Sequence, residues 1–367
     1  MTCASSHLLM MNIEKIISAF DFNSPILSID ECKIGHINST FFVKCASGRY
    51  IAQKIKKSVF KDPAAIMKNA VGVTDHIRTK LAACGGDVQN SALQFIKSGD
   101  RYYHIDKNGE YWRAYQYVDG VCYDKCDTPA LFTRVGAAFG NFQNQLADYD
   151  ISTLHETIPN FHNTEKRYEA FEAAVAADIC GRAAACAAEI EFIRARRKDC
   201  SFIVDGLASG LFPLRVTHND TKPNNVIMDK NTGESLCVID LDTVMPGSLL
   251  YDFGDAIRFG ASSATEDETD LDKVFVRVDM FEAYTKGFVT SLSKRITKEE
   301  LRALPEGARI LTLEQGMRFL TDYLQGDTYF RIHHEGHNLE RTRTQLKLVA
   351  DMEEKRPLLQ AIVDQYL

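Results

Sequence analysis

The sequence has no apolar run near the ~18 residues that a membrane-spanning helix needs, so no span is expected. Its opening residues, MTCASSHLLMMNIEK, lack a basic stretch followed by an apolar one, which argues against a secretory signal. Positive charge is short as well. The 43 Lys and Arg stand against 50 Asp and Glu, a net charge of -7, so no nucleic-acid footprint is expected. The ten cysteines show no disulfide framework, which predicts reduced thiols in a cytoplasmic protein. Cys122 and Cys126 lie close together but have no second pair to complete a metal site. The histidines of HHEGH (His333, His334 and His337) lack the H-E-x-x-H spacing and read as a solvated turn. Sulfatases need C/S-x-P-x-R. In Cys126-Asp127-Thr128-Pro129 the proline falls one place late and the arginine is missing, so a mucin-glycan hydrolase of that kind is set aside.

What is present is ordinary globular composition, 45% hydrophobic and 25% charged, over 367 residues, enough for one large domain or two lobes. Met11 to Phe20 has helical spacing. Ile26 to Lys56 reads as strands, with Ala46-Ser47-Gly48-Arg49 as a hairpin turn. Asp62-Pro63 opens a helix that runs to about Ala83. Strand-like runs follow at Arg101 to Ile105 and Tyr111 to Tyr117. The connector Val118-Asp119-Gly120 leads into helices: Pro129 to Leu146, Thr164 to Ala208, and Leu271 to the end. The strands Val226-Ile227-Met228 and Leu236 to Ile239 interrupt them. The expected fold class is α+β: a small β-rich lobe over residues 1–117 and a large, mostly helical lobe over 118–367.

One stretch crowds chemistry together. RVTHNDTKPNN, after a short strand, contains His218-x-Asp220-x-Lys222-x-x-Asn225. Phosphoryl-transfer catalysts use H-x-D-x-K-x-x-N in this way: the acid takes the acceptor hydroxyl's proton and the amide holds a magnesium ion. The reaction spreads negative charge over the transferred oxygens, so the site must supply cations and aim one hydroxyl in line. Asp220 is the expected base, with Lys222 beside it. The second metal ligand should follow the next hairpin, which selects Asp240 over Asp252 of the tempting Asp252-Phe253-Gly254; Asp242 is a weaker candidate. Asp252 is expected to brace the loop or cap a helix. On the small lobe, Ile34 to Thr40 offers Gly35, Asn38, Ser39 and Thr40 to cover phosphates with backbone N–H groups. Ile51-Ala52-Gln53-Lys54 resembles V-A-I-K, so Lys54 is the expected phosphate-pairing lysine, with Gln53, Lys56 and Lys57 as rivals. Tyr115 and Tyr117, ending the last strand, are expected beside the nucleotide. The helix from Asp62 to Leu81 offers no glutamate to pair such a lysine. Arg341 and Arg343 are expected to face solvent or pair with nearby acids.

The catalytic loop, the I-D-x-D stretch and the absence of protein-kinase activation-segment signatures resemble the aminoglycoside phosphotransferase-like small-molecule kinases. GHINSTFFV, RVTHNDTKPNN, VIDLDTVMPGSLLYDFGDAIRFGA and HHEGHNLERTRTQLKLV look like the N-acetylhexosamine 1-kinase family within that group, from about Gly35 to the last helix. The resemblance implies a two-lobed, protein-kinase-like fold. It implies transfer of the γ-phosphate of ATP, with Mg2+, to the anomeric hydroxyl of N-acetylglucosamine or N-acetylgalactosamine, in glycan salvage. The sugar contacts it implies are His36, Arg318 and Tyr329, with Asp220 at the reacting hydroxyl. A kinase of choline, homoserine, an aminoglycoside or another sugar is the rival reading. A monomer with small-molecule partners is expected.

Overall fold

The computed structural model describes residues 12–32 and 38–367. It has the expected α+β, protein-kinase-like architecture. Residues 12–17 form α1, and three strands follow: β1 (Ile26–Cys32), β2 (Ser39–Cys45) and β3 (Gly48–Lys54). Next come α2 (Pro63–Ala83), β4 (Phe95–Ile96), β5 (His104–Ile105) and β6 (Tyr111–Gln116). The strands make one antiparallel sheet in the order β1-β2-β3-β6-β4, with β5 also on β6. The Ala46-Ser47 turn and the α2 start fall where the sequence placed them. The Asp62 side chain caps α2 by accepting from the Ala65 N–H at 3.0 Å.

The sheet has two differently dressed faces. Phe41, Val43, Ala52, Trp112 and Ala114 pack on one side with Ile13, Ile17, Phe20 and Phe22, so α1 covers that face. On the other side Phe95 and Tyr115 join the α2 residues Ile66, Ala70, Val73 and Ile77, together with Ile227, Cys237, Leu241 and Val244 of the large lobe. That second face looks into the cleft.

The large lobe is mostly helical: α3 (Pro129–Gln145), α4 (Thr164–Ala177), α5 (Ala187–Arg194), α6 (Phe202–Ala208), α7 (Leu249–Gly260), α8 (Val278–Leu292), α9 (Lys298–Leu324), α10 (His337–Glu354) and α11 (Arg356–Asp364). Its core joins Phe132, Val135 and Phe139 of α3 to Phe253 of α7 and Phe281, Tyr284 and Phe288 of α8. Gly136 lets α3 and α8 approach closely, since a Cβ there would stand 2.5 Å from the Tyr284 carbonyl. Set into this lobe are β7 (Arg215–Thr217) with β10 (Met245–Gly247), and the hairpin β8 (Val226–Met228) with β9 (Ser235–Val238). Among the described residues no helix is long and apolar enough to cross a membrane.

The HHEGH turn is only partly solvated. His337 is 1% exposed, and its Nε2 lies 3.1 Å from Asp267. The reason is that it starts α10 and packs inward, whereas His333 and His334 do not. Arg343 pairs with Glu189 at 2.6 Å, as an arginine on that helix was expected to pair.

Candidate active site

The loop after β7 is built from backbone hydrogen bonds to buried acids. Asp252, fully buried in the first turn of α7, accepts from the N–H of His218 (3.0 Å) and of Asn219 (2.7 Å), and from Gln143 Nε2 (2.6 Å). Both its oxygens accept hydrogen bonds from the loop or from Gln143, so the D-F-G aspartate braces the loop. Burial pushes its carboxyl up; His218 and the donated hydrogen bonds work the other way. One turn along, Asp255 accepts from the Thr221 N–H at 2.9 Å and from Arg258. Asp252, Asp255 and Arg258 recur at helical spacing, so one face of α7 carries the loop. The sequence reading singled out Asp252 and missed the other two, although the i, i+3, i+6 spacing was visible.

His218 is oriented by two backbone groups. Its Nε2 lies 2.8 Å from the Ile239 carbonyl, which requires a ring N–H there. Nδ1 is then free to accept the Asp220 N–H at 3.3 Å. The Asp220 carboxylate meets Lys222 Nζ at 2.7 Å on Oδ1 and Asn225 Nδ2 at 3.1 Å on Oδ2. Asp220 raises the Lys222 pKa and keeps that amine charged. Asn225 Nδ2 also donates to the Asp220 carbonyl at 2.8 Å, which leaves its side-chain oxygen without a donor among the described residues.

The two acids of Ile239-Asp240-Leu241-Asp242 have opposite surroundings. Asp242 is 3% exposed. It takes an ion pair from Arg113 and a hydrogen bond from Asn38 Nδ2 at 2.9 Å. Asp240 sits in left-handed backbone, φ 59°, with no hydrogen bond to its carboxylate among the described residues. Burial, then Asp242 and Asp220, push its pKa from 3.8 to about 6. A cation would relieve that charge. Asp240 and the Asn225 oxygen are hard oxygen donors of the kind magnesium takes, alongside phosphate oxygens and water. The described residues hold no cluster of three or more His, Cys, Asp or Glu that would enclose a metal by itself.

On the small lobe the structure corrects the lysine. Lys54 shares a strand face with Ala52, which is packed under α1, so it points away from the cleft. It pairs with Glu110 at 3.2 Å near the surface. Gln53 takes the cleft face beside its register partner Arg113, and Arg113 Nε donates to Gln53 Oε1 at 2.9 Å. The residue that reaches across to the second acid is therefore Arg113, on β6. The V-A-I-K analogy hid it because a one-residue shift exchanges the two faces. The missing helix glutamate also has a successor. Asn69 of α2, 1% exposed, donates to the Val244 carbonyl (2.9 Å) and the His155 carbonyl (2.8 Å), tying α2 to the segment after Asp242.

Of the other small-lobe residues, Thr40 Oγ1 accepts from Gln53 Nε2 at 3.1 Å, and Ser39 is exposed on β2. Tyr115 packs on Phe95, its phenol pushed up by burial. Tyr117 lies under the Arg49 guanidinium at 4.5 Å and edge-on to Phe42 at 5.9 Å. Phe42 is 40% exposed on the cleft face opposite Ile51, an apolar platform that the sequence reading overlooked. Gly35 and His36 lie outside the described residues.

Arg318 and Tyr329 come together. The Arg318 guanidinium lies 5.9 Å from the Tyr329 ring, 5.5 Å from Phe330 and 5.4 Å from Phe161. It does not pair with Asp322. That carboxylate instead accepts from the N–H groups of Thr328, Tyr329 and Phe330 and from Asn338. Phe161 connects this wall to the loop, since the neighbouring His162 lies 3.3 Å from the Asn219 carbonyl.

A phosphotransferase enzyme family model matches residues 28–279. The fold is similar to an aminoglycoside phosphotransferase of Alicyclobacillus acidocaldarius (TM-score 0.61, 11% identity, 96% of this chain and 95% of that one). It is similar to an ethanolamine kinase of Plasmodium vivax (TM-score 0.53, 12% identity, 86% and 82%). A choline kinase of Cryptosporidium parvum gives a TM-score of 0.52 at 13% identity, covering 92% and 91%. The chain belongs to the phosphotransferase enzyme family.

Proposed function

We propose that this small-molecule phosphotransferase transfers the γ-phosphate of ATP, with Mg2+, to the anomeric C1 hydroxyl of an N-acetylhexosamine, N-acetylglucosamine or N-acetylgalactosamine. The products are the sugar 1-phosphate and ADP. One observation carries the choice of acceptor. Both acids between Arg318 and His334 are engaged, Asp322 with three backbone amides and Asp327 with Arg182, and Glu314 pairs with His162. Arg318 and Arg167 have no acid within ion-pair distance among the described residues. A polycationic aminoglycoside would meet cations here. Choline or ethanolamine would want aromatic faces for its ammonium, and the Arg318 guanidinium already lies beside Phe161, Tyr329 and Phe330. A neutral acetamido sugar offers a carbonyl and hydroxyls that accept from guanidinium.

In this reading Asp220 aims the anomeric hydroxyl and takes its proton as the oxygen attacks the γ-phosphorus. That hydroxyl is more acidic than an ordinary alcohol, so an aspartate suffices. Asn225 and Asp240 hold Mg2+, which neutralises charge on the phosphates when bound. Lys222, 2.7 Å from Asp220 Oδ1, adds a cation at the transferred group. Gly35, Asn38, Ser39 and Thr40 cover the phosphates. The base lies on Phe42, Ile51 and Tyr117, with Tyr115 behind. His36, Arg318 and Tyr329 contact the sugar. Residues 1–117 form the nucleotide-binding lobe and 118–367 carry the catalytic loop and the sugar site, in a monomeric, cytoplasmic enzyme.

A coupled ADP-release assay over N-acetylhexosamines, other sugars, choline, ethanolamine and an aminoglycoside, wild type beside Asp220→Asn, tests this. Turnover with the N-acetylhexosamines that the variant loses is expected. Turnover with an amine alone overturns the acceptor and keeps the chemistry.

A further inference from the structure

The residue before Asp220 is in an unusual conformation. Asn219 has φ 65°, left-handed backbone that a side chain with a Cβ seldom adopts, though asparagine tolerates it better than most. Such a residue keeps its shape only where the surroundings hold it. Its N–H is held by Asp252, and its side-chain amide donates to the Thr243 carbonyl at 2.8 Å. Its carbonyl faces His162 Nε2 at 3.3 Å. The other ring nitrogen, Nδ1, lies 2.7 Å from Glu314 Oε1. His162 is 8% exposed and Glu314 1%. A carbonyl and a carboxylate both accept, so hydrogen on both ring nitrogens satisfies both contacts.

The pair is buried, with His162 at the edge of a groove. Thr164 Oγ1 donates to the second Glu314 oxygen at 2.6 Å. The Tyr251 ring of α7 stands 5.2 Å from the imidazole and Phe161 4.5 Å. Asp255 of α7 and Arg167 of α4 act on the pair through charge. Burial would push the Glu314 carboxyl up. The His162 charge and hydrogen bond, with Arg167 behind them, bring it below the usual range instead.

We propose that His162 is a positioning residue for phosphoryl transfer: backed by Glu314, its Nε2–H clamps the Asn219 carbonyl and thereby aims Asp220. It touches no reactant and acts only through the loop. The clamp also joins the acceptor wall, through Phe161, to the base. The inference rests on Asp220 being the group that takes the acceptor's proton. Without the clamp the Asn219–Asp220 peptide keeps only the 3.3 Å bond from the Asp220 N–H to His218, and a tilt about that bond shifts Asp220.

The test uses a groove of about 410 Å3, lined in part by Phe161, His162, Asn219 and Tyr251, through which a small cation can reach the hole left by His162→Ala. Steady-state kinetics are measured for His162→Ala with and without imidazole, for Glu314→Gln, and for Asp220→Asn. A reacting group displaced by ~1 Å can cost about 100-fold, so His162→Ala should lose roughly that much kcat, while the KM for ATP moves by less than about threefold. Imidazole should restore kcat, more in acid than in alkaline buffer, because only the imidazolium donates from both nitrogens. Glu314→Gln keeps the side chain's shape and the Thr164 bond. It should lose less kcat, again at constant KM for ATP, and decides the matter if the alanine variant does not fold. An unchanged kcat, a loss shared with the KM for ATP, or no response to imidazole overturns the clamp. Wild-type turnover in Asp220→Asn would instead remove the base assignment beneath it.

Discussion

Between Thr217 and Asn225 the polar groups are held from behind by Asp252, Asp255, Thr243 and His162. A short way off, between Gly326 and His334, the chain leaves Tyr329 62% exposed beside Arg318, which has no acid partner among the described residues. In the proposed reading the first region serves the reaction and the second the choice of acceptor. A positioned aspartate needs an over-determined backbone, because small displacements cost rate. Acceptor choice needs only a few side chains of suitable charge and shape.

Substitutions can break the comparison from either side. The largest effect is expected in the held region. Asp220→Asn should lower kcat by about 10²–10⁴, the usual worth of general base catalysis, with Mg-ATP affinity by calorimetry unchanged. A large loss of ATP affinity would show that Asp220 serves the nucleotide. Next comes Arg113→Met, which strands the Asp242 charge in the interior. Urea unfolding should show a loss of about 3–5 kcal/mol. Lys54→Met, at a near-surface pair, should stay within about 0.5 kcal/mol and keep its turnover. Equal effects would restore Lys54 to the cleft.

Asp240 gives a stability effect of opposite sign. Its pKa in the fold, about 6, lies above the ordinary 3.8. The folded state therefore holds the proton more tightly. That contribution is complete in acid below the ordinary value and is lost as pH rises through about 6. Metal-free protein should thus lose stability, on the order of 2 kcal/mol, as pH rises across that window. Asp240→Asn should remove the slope, melt higher than wild type at neutral pH without metal, and lose Mg2+-dependent turnover. A variant less stable than wild type would contradict the unpaired-acid picture. The smallest effects belong to the open wall. Arg318→Gln should raise the acceptor KM about tenfold, the worth of one hydrogen bond to a charged group, at constant KM for ATP. Tyr329→Phe should change it by less than about threefold.

The sequence was legible where local spacing carries the chemistry. The loop from His218 to Asn225, the hairpin before Asp240, the Asp62-Pro63 helix start and the Ala46-Ser47 turn are all set by contiguous residues. Asp252 was legible too, as a brace of the loop. What was hidden depends on pairing between distant segments. The cleft face of β3 is decided by its register on β6, Gln53 opposite Arg113, and no local pattern states it. Asn69 meets Val244 across 175 residues. Glu314 reaches His162 across 152, so neither partner announces the other. His337 resembled a solvated turn because burial at a helix start depends on what packs over it.

The most direct measurement is 31P–1H NMR of the product formed from Mg-ATP and N-acetylglucosamine or N-acetylgalactosamine. Transfer to C1 predicts a phosphoester whose phosphorus couples to the anomeric proton. Coupling to the C6 protons, or no phosphoester from these sugars while an amine-bearing acceptor is phosphorylated, would contradict it.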